Sequence, residues 1–292
     1  SMYSDVSILF HSFYREYTGI AKIAFSIDGG VTFTDTIEVH PDIEVNEVTA
    51  NDYQVMIRMP FNIAGNPNVK IQFIYDGTIL YNTSYNGYYF WMIDDMKIVE
   101  TPDNKLSLLE AEIGGWFSSS PTTTLDYGME YTYIPLKQII ADPYTFEGVV
   151  LNSGALNQNT QLNVEVFDGI GSSVFTTTST NSLMMPQDTI TFIGNSTFTP
   201  SNVGQYYFQT WASSLDTLSD TIVKSSIVTD SVYARDDNND YAGRDLGRDC
   251  GSMTMGTYFD IYADDNLSSI SVYIRSGSDI GAEIVAMLYE ID

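Results

Sequence analysis

The sequence predicts an all-β protein built of tandem antiparallel β-sandwiches, on three observations. Strand-like runs recur roughly every 8 to 14 residues, separated by Gly, Asn, Asp and Pro. Aromatic residues are abundant, with 21 Tyr and 15 Phe beside many Thr, Val and Ile, a composition that favours strands. Helical periodicity is nearly absent. The 292 residues suffice for two or three domains, and a hydrophobic fraction of 43% allows packed cores.

Residues 1–102 form the first predicted region. Ile20–Ile27 alternates and ends in Asp28-Gly29-Gly30, a turn tripeptide that tolerates positive φ. Strands are expected at Val55–Met59, Val69–Tyr75 and Tyr88–Ile98. On the last of these, simple alternation puts Phe90, Met92, Asp94, Met96 and Ile98 on one face. A carboxylate on an apolar face needs a partner, either hydrogen-bonded backbone or a cation.

Thr101-Pro102-Asp103-Asn104 reads as a linker. The second region, 103–230, carries about seven strand candidates: Leu106–Ile113, Tyr131–Ile140, Phe146–Leu151, Leu162–Phe167, Thr189–Phe198, Gln205–Ala212 and Thr221–Val228. That number, with Trp211 as a core-sized residue, points to an immunoglobulin-like sandwich, and Gly204-Gln205-Tyr206 sits where such folds place a tyrosine corner. The third region, 231–292, opens with the Asx-rich run Asp236-Asp237-Asn238-Asn239-Asp240 and ends with two alternating segments, Leu267–Ile274 and Glu283–Ile291, expected as strands. So few strands make a marginal domain, either cut short or completing its sheet against a neighbour.

Lys plus Arg number 12 against 38 Asp plus Glu, a formal charge of −26. Such a surface repels nucleic acid and anionic lipid, and attracts divalent cations and basic partners; solubility alone is the plainer reading. Cys250 is the single cysteine, so no intrachain disulfide forms. No signal peptide opens the chain and no apolar run nears the ~18 residues a membrane span needs. Ser1-Met2 reads as a scar of expression ahead of a segment cut from something longer.

Catalytic chemistry is not expected. His11 and His40 are the two histidines and sit near strand edges, no Gly-x-Ser-x-Gly elbow occurs, and Cys250 has no nearby His. Zinc lacks ligands, and phosphate loops are absent. Asp94-Asp95, Asp236-Asp237 and Asp264-Asp265 are adjacent carboxylates; neighbours on a strand point to opposite faces, so the pairs read as calcium ligands or turn formers rather than a glycosidase couple. Calcium takes six to eight oxygens, which Asp236, Asp237, Asn238, Asn239 and Asp240 offer together, with Asp260, Asp264 and Asp265 as further donors; a solvated linker is the competing reading. Tyr85, Tyr88, Tyr89 and Trp91, near Tyr81, are candidates to stack on sugar rings, against a strand packed on both faces.

Phe25-Ser26-Ile27-Asp28-Gly29-Gly30-Val31-Thr32-Phe33 and Trp91-Met92-Ile93-Asp94-Asp95-Met96-Lys97-Ile98 resemble the later half of a MAM-like jelly-roll module, with the family's early strands missing before Tyr3. Val149–Gly154, Val164–Phe167 and Gly204–Tyr207 resemble the CARDB-like immunoglobulin repeats of exported bacterial proteins. Val232–Asp236 and Phe259–Ala263 resemble a further jelly roll found beside them. The order is similar to large surface proteins that Bacteroidota export by the type IX route. The resemblance implies a non-catalytic structural and adhesive role, secreted or at the cell surface, with calcium as a structural ion, neighbouring domains of the same long chain as partners, and extracellular glycans as candidate ligands. The rival expectation is an accessory, substrate- or carbohydrate-binding region of a secreted hydrolase whose catalytic domain lies elsewhere.

Overall fold

The structure, a computed structural model, describes residues 5–17, 19–41, 43, 47–60, 63–77, 89–114, 131–235, 259–272, 281 and 284–289. These are almost entirely β, with several antiparallel sheets and one short helix among the described residues.

Six strands make the first layered unit: β1 (Val6–Arg15), β2 (Ile20–Ser26), β3 (Asp35–Glu38), β4 (Gln54–Arg58), β5 (Lys70–Asp76) and β6 (Phe90–Glu100). They pair as two three-stranded sheets, β4-β1-β6 and β3-β2-β5. Alternation in β1 sends Ile8, Phe10, Ser12 and Tyr14 inward, where Ile8 and Phe10 meet Ile23, Phe25 and Val55 in one apolar cluster. Phe10 lies edge-on to Phe73 at 5.4 Å and to Trp91 at 6.4 Å. Between β2 and β3 the Asp28 carboxylate accepts from the backbone N–H of Val31 and Thr32 and from the hydroxyls of Ser26 and Thr32. Gly29 and Gly30 stand at φ +81° and +95°, which a Cβ would strain.

The face predicted for Phe90, Met92, Asp94, Met96 and Ile98 is not one face. A β-bulge interrupts the β1–β6 register between Leu9 and His11, with Asp95 at φ 51°. Ahead of it Phe90, Met92 and Asp94 lie opposite Arg15, Phe13 and His11 on the outer side; beyond it Ile98 lies opposite the core residue Ile8. One extra residue flips the alternation, so Asp94 is exposed and never joins the apolar side.

A second unit follows: β7 (Leu106–Ile113), β8 (Tyr133–Pro135), α1 (Leu136–Ala141), β9 (Phe146–Asn152), β10 (Gln158–Asp168), β11 (Ser173–Thr178), β12 (Ser182–Met184), β13 (Thr189–Ile193), β14 (Gly204–Ser213) and β15 (Ile222–Thr229). One sheet runs β13-β9-β7 and the other β11-β10-β14-β15-β8, with β12 on β10. β8 lies parallel to β15, while the other ladders are antiparallel. Both sheets feed one core that includes Phe146, Val150, Leu162, Val164 and Phe208. Gly148 lets the sheets approach: a Cβ there would sit 2.7 Å from Leu162 Cδ1.

Two expectations change here. The run read as a strand over Tyr131–Ile140 pairs for three residues and then turns helical after Pro135, whose fixed φ suits a helix start and whose missing N–H ends the ladder. Trp211 is not in the core; on β14 the inward positions are Tyr206, Phe208, Thr210 and Ala212. Tyr206 donates its hydroxyl proton to the carbonyl of Asn202 at 3.0 Å, the expected tyrosine-corner bond.

Past β15, the described parts of the two segments expected as strands, Leu267–Val272 and Ile284–Tyr289, pair with no strand among the described residues and are exposed along their length. Alternation marks a segment fit for a sheet but supplies no partner, and a strand without one leaves its backbone to water.

Candidate functional site

Inside the first unit, sheet pairing brings together polar groups that the sequence holds apart. Ser12 Oγ and His40 Nε2 are 2.7 Å apart. Trp91 Nε1 donates to the same Ser12 oxygen at 2.9 Å, and the Tyr14 ring stacks on the His40 ring at 4.9 Å and 10°. Tyr14 donates its hydroxyl proton to the Gly19 carbonyl. Burial, helped by the Glu16 carboxylate, holds the Tyr14 phenol well above its ordinary range. A serine beside an imidazole is a nucleophile–base couple only where substrate reaches it. Here Ser12 and His40 are each 2% exposed, so the couple acts as a polar bolt joining β1, β6 and the chain after β3.

Trp91, one of the four aromatic candidates for sugar stacking, is thus turned inward onto Phe10, Phe73 and Ser12. Tyr89 is exposed, meets the exposed Tyr17 edge-to-face at 5.5 Å, and has the Arg15 guanidinium 4.2 Å over its ring. Tyr85 and Tyr88, like Tyr81, lie outside the described residues.

Asp94 and Asp95 stand exposed on β6, where Asp94 Oδ1 accepts the Asp95 backbone N–H at 2.8 Å. Asp264 and Asp265 lie on the segment after Phe259; hydrogen bonds from the Asn266 N–H and the Gln138 amide hold the Asp265 carboxyl below its ordinary range, aided by Lys137. The two pairs are not brought together, and no group of three or more His, Cys, Asp or Glu suited to a metal occurs among the described residues. Asp236, Asp237, Asn238, Asn239 and Asp240 lie outside them.

The densest polar arrangement is a seam where the chain leaves the second unit. Backbone bonds between Tyr133 and Ala234 lay residues 233–235 along β8. Tyr131 and Tyr233 stack at 4.5 Å, and Phe259 lies 5.3 Å from Tyr233. Arg235 donates to the Tyr131 hydroxyl at 2.6 Å, approaches the Asp260 carboxylate at 3.4 Å and holds its guanidinium 4.1 Å over the Tyr131 ring. The Tyr131 hydroxyl accepts the Asp260 N–H at 2.8 Å, and Tyr233 donates to the Asp260 carbonyl at 2.7 Å. Burial first, then the Tyr131 hydroxyl, drives the Tyr233 phenol far above its ordinary range.

Gln138 on α1 completes the seam. Its side-chain oxygen accepts the N–H groups of Tyr262 and Ala263 at 2.9 and 3.0 Å, and its amide nitrogen donates to the Ala263 carbonyl at 2.8 Å. The side chain serves this segment as a neighbouring strand would, and Gln138 is 1% exposed. Sequence reasoning placed Gln138 on a strand and missed the seam. The available signal was an amide beside Ile139-Ile140, a polar group in an apolar run that needs a partner.

At the same end of the second unit, an open cleft of about 410 Å³ lies between the β10–β11 turn and the chain before β14, lined by Ile170, Val174, Asn202, Val203 and Gln205 among others. The Asp168 carboxylate beside it is already engaged by the N–H groups of Ile170 and Ser172.

No family model matches the chain, and neither does any curated protein sequence. Among solved structures it is similar to a calcium-binding mutant of Bacteroides uniformis β-glucuronidase 2, at 12% identity and TM-score 0.37 over 77% of this chain and 24% of that one. It is also similar to a GH2 β-galacturonidase from Eisenbergiella tayi bound to galacturonate, at 10% identity and TM-score 0.36 over 76% of this chain and 34% of that one. The chain therefore spans between a quarter and a third of the length of these enzymes, and likeness at this level carries no argument about activity.

Proposed function

We propose that this chain is a non-catalytic spacing and attachment region of a secreted or cell-surface bacterial protein: a jelly-roll-like sandwich over 1–102, an immunoglobulin-like sandwich over 103–230, and the start of a further jelly-roll-like module from 231. One observation carries this reading: the chain is fastened at both ends of the middle sandwich. Where it comes in, the N–H groups of Ala155 and Leu156 donate to the carbonyls of Pro102 and Asp103, and Gln158 donates to Asn104 Oδ1 at 2.6 Å. Where it leaves, the Tyr131–Gln138–Arg235–Asp260 seam holds the following segment. Joints closed by several polar contacts suit a part that holds its neighbours at a set spacing, against the usual freedom of linked domains. The test is small-angle scattering of the full chain and of Gln138→Ala. The reading expects a narrow distribution of sizes in the parent that broadens in the variant; a parent already as broad as the variant overturns it.

A second reading, the carbohydrate-contacting accessory region of a hydrolase, draws on the exposed Tyr17 and Tyr89 pair, since Tyr presents an amphipathic ring at a surface, here with the Arg15 guanidinium over Tyr89. Affinity electrophoresis in soluble polysaccharides tests it, with Tyr89→Ala expected to abolish retardation. The membership in Bacteroidota type IX cargo and the calcium ion at 236–240 rest on residue pattern. A thermal melt that does not move with chelator removes the ion from the account.

A further inference from the structure

We infer that the outer face of the β11-β10-β14-β15-β8 sheet binds an uncharged glycan chain, laid across Trp211 and Tyr207. On β14 the positions Tyr206, Phe208, Thr210 and Ala212 are buried against the core, so alternation turns Tyr207, Gln209 and Trp211 outward. The register sets β10 beside them: Phe167 lies opposite Tyr207, Glu165 opposite Gln209, and Asn163 opposite Trp211. Across the sheet the face therefore carries an aromatic row at Phe167 and Tyr207, a polar row at Glu165 and Gln209, and a further aromatic position at Trp211. Thr176 on β11, opposite Glu165, extends the polar row.

These groups are not used by the fold. Tyr207 is 42% exposed. Among the described residues, the Trp211 indole N–H, the Tyr207 hydroxyl, the Gln209 amide and the Glu165 carboxylate have no hydrogen-bond or ion-pair partner. Asn163 differs. Its amide nitrogen donates to the Trp211 carbonyl at 3.3 Å and to Ser213 Oγ at 2.8 Å, and its oxygen accepts from Gln161 at 3.1 Å. That set of bonds fixes β10 to β14 beside Trp211 and gives the face a rigid floor.

Charge selects the ligand. The chain carries −26 overall, yet the outward positions of β10, β11, β14 and β15 hold one charged residue, Glu165, and no Lys or Arg. Lys224 on β15 is turned the other way and paired with Glu112. A polyanion would meet net repulsion and no cation here. A protein partner would bury an unpaired carboxylate and amide at the centre of its contact, where interfaces are depleted of charge. A neutral sugar chain suits each group. Its hydroxyls pair with Gln209, Glu165 and Thr176. The C–H groups on the flat of a pyranose ring are weakly positive, and the face of an aromatic ring is negative. Tyr207 and Trp211 are four residues apart, ~13 Å at about 3.3 Å per residue, a length that takes several linked sugar rings rather than one. The inference concerns the middle sandwich and depends neither on the Tyr17–Tyr89 reading nor on the spacing role.

Affinity electrophoresis of the full chain in mixed-linkage β-glucan, xylan or galactomannan tests it, with polygalacturonate as the acidic comparison. At least one neutral polysaccharide should retard the protein and polygalacturonate should not. Retardation should be the same at about 0.1 and about 1 M salt, since no ion pair is involved. Trp211→Ala and Tyr207→Ala should each weaken binding by about tenfold or more, with Trp211→Phe in between and Tyr89→Ala like the parent. Gln209→Arg guards against a folding artefact: it gives Glu165 an ion partner across the strands while filling the polar row, so it should lose binding with its melting curve kept. A parent that no neutral polysaccharide retards overturns the inference. So does retardation that survives Trp211→Ala combined with Tyr207→Ala, or that Tyr89→Ala alone removes. A parent that sediments as a dimer, with Trp211→Ala a monomer, also overturns it, since a second copy would then cover the face.

Discussion

Replacing Gln138 by alanine removes the carboxamide that holds Tyr262 N–H, Ala263 N–H and Ala263 C=O. A neutral hydrogen bond contributes about 0.5–1.5 kcal/mol net, so three set a range of roughly 1.5–4.5 kcal/mol. The freed groups lie on a segment bordered by exposed residues, where water replaces part of what is lost, and about 2 kcal/mol is the expected loss of docking free energy. At 1.4 kcal/mol per factor of ten, the Tyr262 and Ala263 amides should exchange roughly thirtyfold faster. The sandwich should remain folded, because its core is built of other residues. Amide hydrogen exchange resolved at these two residues, beside a thermal melt of the same samples, is the assay. Unchanged exchange in a folded variant would refute the account, leaving the Tyr131–Tyr233–Phe259 stack as the sufficient clasp.

Three other perturbations have defined outcomes. Tyr206→Phe removes the corner bond to Asn202 and should cost about 1 kcal/mol in denaturant unfolding, with the slope against denaturant unchanged. Ser12→Ala strips the common partner from His40 Nε2 and Trp91 Nε1 in a buried site; the cost should be about 1–3 kcal/mol or more, larger than for Tyr206→Phe, and a smaller one would show that the bolt is not structural. Asp5 is held below its ordinary carboxylate value of 3.8, chiefly by hydrogen bonds from Arg58. A carboxyl lowered in the folded state contributes stability above its unfolded value, which is lost as pH falls through the folded one. Asp5→Asn should therefore lower stability near neutral pH and flatten the acid limb below about pH 4; parallel pH profiles for the two proteins would contradict the pairing.

Strands whose character is local were legible in the sequence. β2, β5, β9, β10 and β14 show apolar alternation or β-branched runs between turn residues, and the tyrosine corner follows from Tyr206 placed after Gly204. Features set by partners were not. Nothing near Asp95 announces a bulge, because the bulge belongs to its register against β1. The helix after Pro135 defeats the β-branched pair Ile139-Ile140, since burial of Ile139 outweighs a weak local preference. Ser12 and His40 are 28 residues apart in sequence and meet only through the fold. For the same reason the seam escaped: Gln138 and Ala263 have no relation until α1 and the segment after Phe259 are placed together.

That the chain comes in at one end of the middle sandwich and leaves at the other has a mechanical meaning. A pull on the molecule from both sides acts along β7 and β15, parallel to their axes. The ladders β7–β9 and β14–β15 are then loaded in shear, with their hydrogen bonds sharing the force at once, instead of being peeled open one by one. Under tension such a unit resists as a tie rod does, and its survival is governed by the rate of forced unfolding rather than by its equilibrium stability.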